Sequence, residues 1–518
     1  MDLPASTDSK CYRPQMNHKA TMHGAEQNIT EHLLSERFGL PSLRPIQGGV
    51  IARLLGSHDQ DQANALVVLP TGSGKSLCYQ LPALALRERD PKGGVGLVFS
   101  PLIALMEDQV AALKQRGVRA EYINSTLSRK EREKRYARLA KGDYELIYAT
   151  PERMAIEGFT EALNSVPGGV RLLAVDEAHC ISRWGHDLRP AYAEVGAFRE
   201  QLGSPPTVAL TATATRAVRD DIRAVLGLSE AQMPLFASGI DRPNLALSAK
   251  TVFGDDDKLR EIASIARTMG GVGIVYFSLI KDLERFHELL RNELPAFDHA
   301  IYHGKLDPGR KKAVYARFMR ASKDDPLVLC ATNAFGMGVD KPDLRFIVHA
   351  QTPGSVEAYF QEVGRAGRDG EPSACRLLFM QDDLAIQHEF IEWSNPSPDL
   401  LASIMSNVEH RYAGDAGGHA TFDADDIRLD VIGKGHAHGK SGGRVEYALI
   451  ALEKAGFIER ADTPGSYQLA CPFDDSEVDP QEAAEKRKRD LTRLLEVINM
   501  SRSDDIAAFV RNYFDIED

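Results

Sequence analysis

The stretch from Leu66 to Leu81, LVVLPTGSGKSLCYQL, restricts the fold of this chain more than any other part of its sequence. Its short apolar beginning is typical of a buried strand in a parallel sheet. Gly72 and Gly74 follow, and after them comes a segment compatible with a helix. Glycines let successive backbone N–H groups converge on an anion, and a helix N-terminus adds a positive dipole. The stretch therefore predicts a strand, loop and helix that hold the phosphates of a nucleotide.

The residues that follow the glycines match the chemistry of phosphate binding. Lys75 is placed to reach the β- and γ-phosphates, and the Ser76 hydroxyl is placed to ligate Mg²⁺. Leu69 stands where the longer form of this motif has glycine, so the match is to the shorter GxGK[ST] form. A glycine- and serine-rich turn between a strand and a helix is the alternative for this stretch taken alone.

Apolar runs and helix-like segments alternate along much of the chain, which predicts parallel sheets with helices on both faces. The first series of apolar runs lies at residues 95–99, 144–149, 171–175 and 207–210. The second series lies at residues 271–277, 326–332, 344–350 and 374–380. The pattern changes around residues 235–248, where Asp241, Arg242, Pro243 and Asn244 suggest a connector between the two series. The second series has no phosphate loop of its own, so we expect two α/β domains that share one nucleotide.

Adjacent acidic residues end one of these runs, in the segment AVDEAHCISRWGHDLRPAY. Parallel sheets bind ligands at the carboxyl ends of their strands. We expect Asp176 to hold Mg²⁺ and Glu177 to polarise the attacking water. The alternative is a pair of acids in a turn.

The loop that follows combines aromatic and cationic side chains, namely Trp184, His186 and Arg189. Such side chains can stack on bases and bind phosphates, which favours a nucleic-acid contact. A buried tryptophan on a loop is the alternative.

Three other polar residues are candidates for the same site. Arg365 and Arg368 are spaced by one helical turn, so both can face a cleft. A guanidinium offered across a cleft to a γ-phosphoryl group is an arginine finger, worth about 10³ to 10⁵ in rate. The Gln47 amide can donate to and accept from an adenine edge. Structural ion pairs for the arginines and a surface position for the glutamine are the alternatives.

Composition limits the remaining choices. A chain of 518 residues is expected to form two to four domains. It has no apolar run of 18 residues, and its first residues lack a secretory signal. The six scattered cysteines argue against zinc and disulfides and favour a reducing cytoplasm. The net charge of −12 does not favour nucleic-acid binding, but a basic groove can lie on an acidic protein.

Eight segments together carry a resemblance to a known family. In order, they are FGLPSLRPIQ, LPTGSGKS, SPLIALMEDQV, YATPER, DEAHCISRWGHDLRP, LTATAT, FGMGVDKP and QEVGRAGRDG. Over residues 30–385 the chain resembles the RecQ DNA helicases of helicase superfamily 2. The resemblance implies an ATP-driven motor that moves 3′ to 5′ on single-stranded DNA and unwinds duplexes in repair or recombination. Its implied partners are single-stranded DNA and tailed or branched duplexes, with no membrane, in the cytoplasm or on a bacterial nucleoid.

The resemblance also assigns expected roles to individual residues. Adenine would be read by Arg44 and Gln47. Phosphates and Mg²⁺ would be held by Thr71, Gly72, Ser73, Gly74, Lys75, Ser76 and Asp176, with Glu177 as water activator. From the second domain the site would be completed by Asp340, Gln361, Arg365 and Arg368, the last being the preferred finger. DNA would be coupled to hydrolysis by Trp184, His186 and Arg189, although Leu188 stands where the family's loop usually has phenylalanine.

The expected architecture is two tandem RecA-like domains followed by a smaller helical region like a winged helix. The expected divisions are a flexible segment 1–27, domains 28–240 and 241–395, a winged-helix-like domain 396–480 and a helical segment 481–518. Winged helices bind DNA or serve as protein contacts, and both roles stay open here. The family usually has a four-cysteine zinc subdomain, and Ile506 stands where a cysteine is expected, so we predict no zinc.

Two alternatives to a DNA helicase stay open at this point. One is an RNA helicase, which the residues of the 182–192 loop disfavour. The other is an ATP-gated protein that binds or anneals DNA without unwinding it.

Overall fold

The computed structural model of this chain describes most of its residues. The described ranges are 24–56, 63–70, 72–90, 92–182, 190–237, 242–336, 339, 341–412, 421–428, 431, 442–461, 466–474 and 480–515. Within them, no helix combines the length and the apolar character needed to cross a bilayer.

The first lobe is built on a parallel sheet of seven described strands in the order β3-β4-β2-β5-β6-β1-β7. The strands are β1 Ala65–Val68, β2 Val95–Phe99, β3 Ala120–Ile123, β4 Leu146–Ala149, β5 Val170–Val175, β6 Thr207–Thr211 and β7 Leu235–Ala237. Its helices are α1 Gly24–Phe38, α2 Pro45–Gly56, α3 Leu77–Arg89, α4 Ile103–Gln115, α5 Arg129–Ala140, α6 Glu157–Asn164, α7 Pro190–Ala193, α8 Val195–Gln201 and α9 Arg216–Val225. The central strands are buried on both faces, as their continuous apolar runs require.

The second lobe repeats this plan with a parallel sheet in the order β10-β11-β9-β12-β13-β8. Its strands are β8 Leu245–Thr251, β9 Val272–Tyr276, β10 Asp298–Tyr302, β11 Leu327–Ala331, β12 Leu344–His349 and β13 Ser373–Phe379. Its helices are α10 Asp255–Met269, α11 Ile280–Glu293, α12 Pro308–Arg320 and α13 Val356–Val363.

The change of pattern around residues 235–248 comes from two edge strands and the connector between them. Residues 242–244 of the predicted connector separate β7 from β8, and Asp241 lies outside the described residues. Sequence reasoning missed the two strands because both lie at sheet edges with half-buried residues, and β8 carries Ser248 and Lys250, so neither forms a continuous apolar run. One expectation needs correction, because α1 begins at Gly24, inside the segment 1–27 that was expected to be flexible.

The C-terminal region is mainly helical. Its elements are α14 Leu384–Ser394, α15 Pro398–Tyr412, α16 Ala424–Ile427, α17 Gly442–Lys454, β14 Ile458–Arg460, β15 Tyr467–Leu469, α18 Pro480–Ser501 and α19 Ile506–Phe514. Val445, Leu449 and Leu452 are fully buried on one face of α17, as their spacing predicts. They form a separate small core with α15 and the antiparallel pair β14–β15. Residues 462–465, between these two strands, lie outside the described part of the chain.

The last helix touches both lobes. Arg219 of α9 in the first lobe donates to the carbonyls of Phe514 (3.1 Å) and Asp515 (3.2 Å) at the end of α19. Towards the second lobe, the Tyr513 hydroxyl donates to Glu357 Oε1 at 2.8 Å. Phe514 also packs against Phe360 of α13, with ring centroids 5.3 Å apart. Thus α19 bridges the two lobes.

A buried ion pair fastens α10 to the segment that leads out of the second sheet. Lys258 Nζ lies 2.9 and 2.7 Å from the two carboxylate oxygens of Asp383, and the residues are only 2% and 3% exposed. Burial raises the pKa of Asp383, and the Lys258 ammonium opposes that rise. Each charge therefore depends on the other, because an unpaired charge at this depth is costly.

We predict that Lys258→Met lowers the free energy of unfolding by about 3–5 kcal/mol, because it leaves a buried carboxylate unpaired. The double variant Lys258→Met, Asp383→Leu should regain most of this loss, since it removes both charges. Urea denaturation followed by circular dichroism measures both effects. The control is Arg129→Ala, which breaks an exposed pair with Glu133 and should change stability by less than about 1 kcal/mol. Equal stability of Lys258→Met and this control would contradict the prediction.

Candidate nucleotide site between the two lobes

Three neighbouring strands of the first sheet carry the polar loops that the sequence singled out. The phosphate loop follows β1, Asp176 and Glu177 follow β5, and the threonine-rich loop follows β6, which lies between the other two strands. Because the strands are parallel, all three loops emerge at the same edge of the sheet. The expected juxtaposition of the phosphate loop and the acidic pair is therefore present.

The phosphate loop is shaped by backbone that only glycine adopts readily. Gly74 has φ +82°, and a Cβ atom there would lie 2.6 Å from Gln47 Nε2. Lys75 Nζ donates to the carbonyl of Leu69 at 3.0 Å, so its side chain folds back over the loop. Ser76 immediately precedes α3 and makes no side-chain cap to that helix. A lysine, a serine hydroxyl and a helix N-terminus thus surround one loop, and this donor set fits a nucleotide triphosphate with its cation.

Arg44 and Gln47 contact the phosphate loop itself. Arg44 Nη1 donates to the carbonyl of Ser73 at 3.0 Å. Gln47 is buried, and its Nε2 donates to the carbonyls of Ser73 (3.3 Å) and Gly74 (3.2 Å), while its Oε1 accepts from the Arg44 amide at 2.9 Å. Both polar atoms of the Gln47 amide are therefore engaged within the first lobe. The reading of adenine by these two side chains stays a prediction.

The acidic pair is held in a strained and largely buried conformation. Asp176 is buried, its amide donates to the Phe99 carbonyl at 2.8 Å, and its Oδ1 accepts from the Glu177 amide at 3.0 Å. Glu177 has φ +48°, which is rare for a residue with a side chain and marks backbone strain at functional sites. Burial, followed by the Glu177 charge, raises the pKa of Asp176 to about 7, and Lys75 opposes that rise. A divalent cation is the charge that a buried carboxylate of this kind fits.

His179 lies between the acidic pair and the neighbouring threonine loop at residues 211–215. His179 is buried, and its Nδ1 lies 2.9 Å from Thr211 Oγ1 and 3.4 Å from Glu177 Oε2. The Thr211 hydroxyl in turn donates to the Thr213 carbonyl at 3.0 Å. The threonine loop thus contacts the acidic pair through His179.

Arg368 of the second lobe lies against the phosphate loop of the first. A Cβ atom on Gly72 would lie 3.0 Å from Arg368 Cδ and 3.1 Å from its Nε. Burial lowers the pKa of Lys75, the carboxylates of Glu177 and Asp176 oppose this, and the charge of Arg368 adds to it. Lys75 and Arg368 therefore face one region from two different lobes.

Arg365 is placed differently. It is buried, and its guanidinium donates to the carbonyl of Gly336 within the second lobe. The expectation that Arg365 and Arg368 share one turn of a helix is wrong, because α13 ends at Val363 and a series of turns follows. Because α13 ends before both arginines, Arg365 reaches the Gly336 carbonyl and Arg368 reaches the phosphate loop. Gln361 lies in the last turn of α13 and is partly buried.

Five expected site residues lie outside the described part of the chain: Thr71, Trp184, His186, Arg189 and Asp340. The unusual Leu188 also lies there. Their roles stay predictions. In the described residues, no cluster of three or more His, Cys, Asp and Glu side chains could hold a metal ion. The expected absence of zinc likewise stays a prediction, and Ile506 packs in the apolar core beside α18.

Sequence reasoning missed a buried polar chain behind the phosphate loop. The Tyr79 side chain hydrogen-bonds with Ser76, and the Tyr148 hydroxyl donates to the Tyr79 hydroxyl at 3.4 Å. Gln80 Nε2 donates to Tyr148 (2.9 Å) and to Gln109 Oε1 of α4 (2.8 Å). One feature of the sequence could have predicted this polar chain, because Tyr79 and Gln80 are polar residues at the otherwise apolar start of α3.

Comparison with known proteins agrees with this geometry. A family model for DEAD/DEAH box helicases matches residues 44–221, and one for the helicase conserved C-terminal domain matches residues 256–370. The chain is 38% identical over 380 residues to the probable ATP-dependent DNA helicase RecS of Bacillus subtilis, covering 73% of this chain and 72% of that protein. It is 42% identical over 366 residues to the ATP-dependent DNA helicase RecQ of the same organism, covering 70% of this chain and 58% of that protein.

Solved structures share the fold at low sequence identity. The helicase MrfA, bound to DNA and AMPPNP, is 20% identical with a TM-score of 0.56, covering 88% of this chain and 63% of that one. Mycobacterium smegmatis Lhr, bound to single-stranded DNA and AMP-PNP, is 17% identical with a TM-score of 0.51, covering 89% and 61%. These likenesses identify the architecture as two tandem RecA-like domains with a helical C-terminal region.

Two parallel-sheet lobes with a phosphate loop in one and an arginine reaching it from the other define a helicase-type ATPase. Its similarity to the relatives above shows that the chain belongs to the RecQ family of ATP-dependent DNA helicases.

We predict that Lys75→Ala lowers kcat for ATP hydrolysis by at least about 10²-fold, because it removes the cation nearest the phosphate loop. Binding of single-stranded DNA should persist, since this side chain lies over the nucleotide loop. A coupled ATPase assay and fluorescence anisotropy measure the two properties. The control is Lys92→Ala, which changes an exposed lysine of the same lobe. Full ATP turnover by Lys75→Ala would contradict the assignment of this loop.

Proposed function

We propose that this chain hydrolyses ATP to move 3′ to 5′ along single-stranded DNA and to unwind the duplex ahead. The observation that carries the proposal is the approach of Arg368 in the second lobe to Gly72 of the phosphate loop in the first. A site assembled from two lobes changes shape when a phosphate is bound, cleaved and released. Such a change can open and close the lobes along a strand.

Each residue of the site has a part in the proposed reaction. Lys75 and the loop amides hold the phosphates of ATP, and Ser76 and Asp176 hold its cation. Mg²⁺ held there would neutralise negative charge that develops on the phosphate oxygens. Glu177 orients and polarises the attacking water, which its strained position beside Asp176 supports. Arg368 stabilises the negative charge of the transferring phosphoryl group.

Arg365 has a supporting part in this proposal. Its guanidinium binds the carbonyl of Gly336, four residues before Asp340 in the sequence. It therefore acts on the shape of the second lobe, and Gln361 and Asp340 complete the nucleotide contacts from that side. Arg44 and Gln47 read the adenine after exchanging their present bonds to the loop backbone.

DNA contacts are assigned to the 182–192 loop and to the C-terminal region. Trp184, His186 and Arg189 couple the strand to hydrolysis through stacking and phosphate contacts. The winged-helix-like division at 396–480 is supported by α17 followed by the antiparallel pair β14–β15 and by a bridge between Phe422 and Tyr467. Domains at 28–240 and 241–395 and a helical segment at 481–518 complete the proposed division.

The proposed setting is repair or recombination in the cytoplasm, on the nucleoid in a bacterium. Scattered cysteines support a reducing compartment. Tailed and branched duplexes are the proposed substrates because a strand-tracking motor needs a single-stranded entry.

The test is unwinding of a labelled duplex with one single-stranded tail, in the presence of ATP and Mg²⁺. We expect strand separation of the 3′-tailed duplex and none of the blunt or 5′-tailed duplex. Lys75→Ala serves as the matched control without hydrolysis. Unwinding of only the 5′-tailed duplex would overturn the direction. Preference for RNA tails would favour an RNA helicase, and ATP-dependent binding without separation would favour a clamp or annealing protein.

We predict that Trp184→Ala keeps basal ATP turnover and loses most of the stimulation by single-stranded DNA, because the side chain that senses the strand is gone. Stacking on a base is worth about 1–3 kcal/mol, so strand affinity should fall by roughly 5- to 150-fold. Steady-state ATPase rates across a DNA titration measure both effects. Trp393→Ala is the matched control, since this tryptophan lies on α14 beside Phe390. Unchanged stimulation in Trp184→Ala would show that the loop is only structural.

A further inference from the structure

The segment that enters the second lobe hydrogen-bonds the turn that carries Arg368. Arg242 Nη2 donates to the carbonyls of Ala366 (3.0 Å) and Gly367 (2.7 Å). Asn244 Nδ2 donates to the carbonyls of Gly367 (2.8 Å) and Glu371 (3.0 Å). Two side chains of the connection between the lobes therefore bind the backbone on both sides of Arg368, directly before it and three residues after it.

The fit between this segment and the turn is tight. Gly367 has φ +55°, and a Cβ atom there would lie 2.5 Å from Asn244 Nδ2 and 2.8 Å from Ser373 Oγ. The Asn244 carbonyl also accepts from the Ser373 amide at 2.9 Å, which closes the strand pairing beside the turn. Arg242 Nε donates to Asn244 Oδ1 at 3.3 Å, so the two side chains also hold each other. The turn cannot shift without breaking several of these contacts.

The neighbourhood is otherwise unfavourable for a second arginine. Burial lowers the pKa of Arg242, and the like charge of Arg368 adds to this effect. Bonds to the two carbonyls hold the Arg242 guanidinium there despite the repulsion. Burial of one arginine beside another is unfavourable. Holding the backbone of Ala366 and Gly367 is the role that accounts for the position of Arg242.

We infer that Arg242 and Asn244 are positioning residues that set Arg368 against the phosphate loop. This inference rests on the proposed function, because it gives Arg368 the transition-state role stated above. The segment that joins the two lobes then has a second task, since it holds the finger of the second lobe in place. Rotation of the lobes about this segment moves the finger as one unit with its support.

The experiment measures kcat and KM for ATP hydrolysis at saturating single-stranded DNA in Arg242→Gln, Arg368→Ala and the double variant. We expect Arg242→Gln to lower kcat by up to about 10²-fold, because a displacement of 1 Å at a reacting group costs that much. KM for ATP should stay near the wild-type value, since Lys75 and the loop still bind the phosphates. Arg368→Ala should lower kcat by about 10³-fold or more. The double variant should match Arg368→Ala alone, because residues that act as one unit are not additive.

Controls separate positioning from general support of the fold. Arg267→Gln removes a comparable bond in the second lobe, from Arg267 Nη2 to the Glu293 carbonyl at 2.8 Å, and should leave kcat unchanged. Arg242→Lys keeps a cationic donor and should recover part of kcat. Asn244→Ala is combined with Arg368→Ala in a second double-mutant cycle. The test therefore still works if Arg242→Gln does not fold.

Two results would overturn the inference and can be told apart. If the losses in kcat multiply in the double variants, Arg242 and Asn244 act independently of Arg368, and the positioning role fails while the finger role stands. If Arg368→Ala alone leaves kcat unchanged, the finger role fails and the positioning role fails with it. Equal kcat in Arg368→Ala and both double variants, with unchanged KM, supports the inference.

Discussion

The meeting of two cations from different lobes at one loop is the interaction on which this structure depends. Lys75 and Arg368 carry the same charge and face the same region, where Asp176 and Glu177 supply the opposing charge. Such a cluster has a surplus of hydrogen-bond donors and is complementary to a polyanion. In the proposed mechanism, the relative placement of the lobes depends on the charge that lies between them, and a change in that charge becomes a change in shape.

The parallel sheets place this cluster with little freedom. Loops after β1, β5 and β6 emerge side by side, and the left-handed backbone at Glu177 turns the chain directly at the strand end. Buried polar contacts extend behind the site on both sides, as hydrogen bonds from Ser76 through Tyr79 and Tyr148 in one direction and as a 3.4 Å contact from Glu177 to His179 in the other. Buried polar groups of this kind need fixed partners, so they also fix the loops that they touch.

Structure that is set by local residue types and spacing could be predicted from the sequence. Structure that is set by contacts between residues far apart in the sequence could not. The phosphate loop and the strand before Asp176 were readable because their residue types and spacing have few other uses. The course of the chain at Arg365 and Arg368 could not be predicted. The turns after α13 are stabilised by Arg242 and Asn244, which lie far away in the sequence. Likewise, β8 lacks a continuous apolar run because an edge strand is covered on fewer sides. Gln47 looked available for a base, but its partners are the loop carbonyls.

Helix α19 adds a second connection between the two lobes. One path from the first lobe to the second runs through residues 242–244, and the other returns through α18 and α19 to Arg219. Bodies joined at two points have fewer ways to move than bodies joined at one. Wide separation of the lobes must release the bonds at Phe514 and Asp515 or carry the helix along, so in the proposed motor the range of opening is limited by two connections.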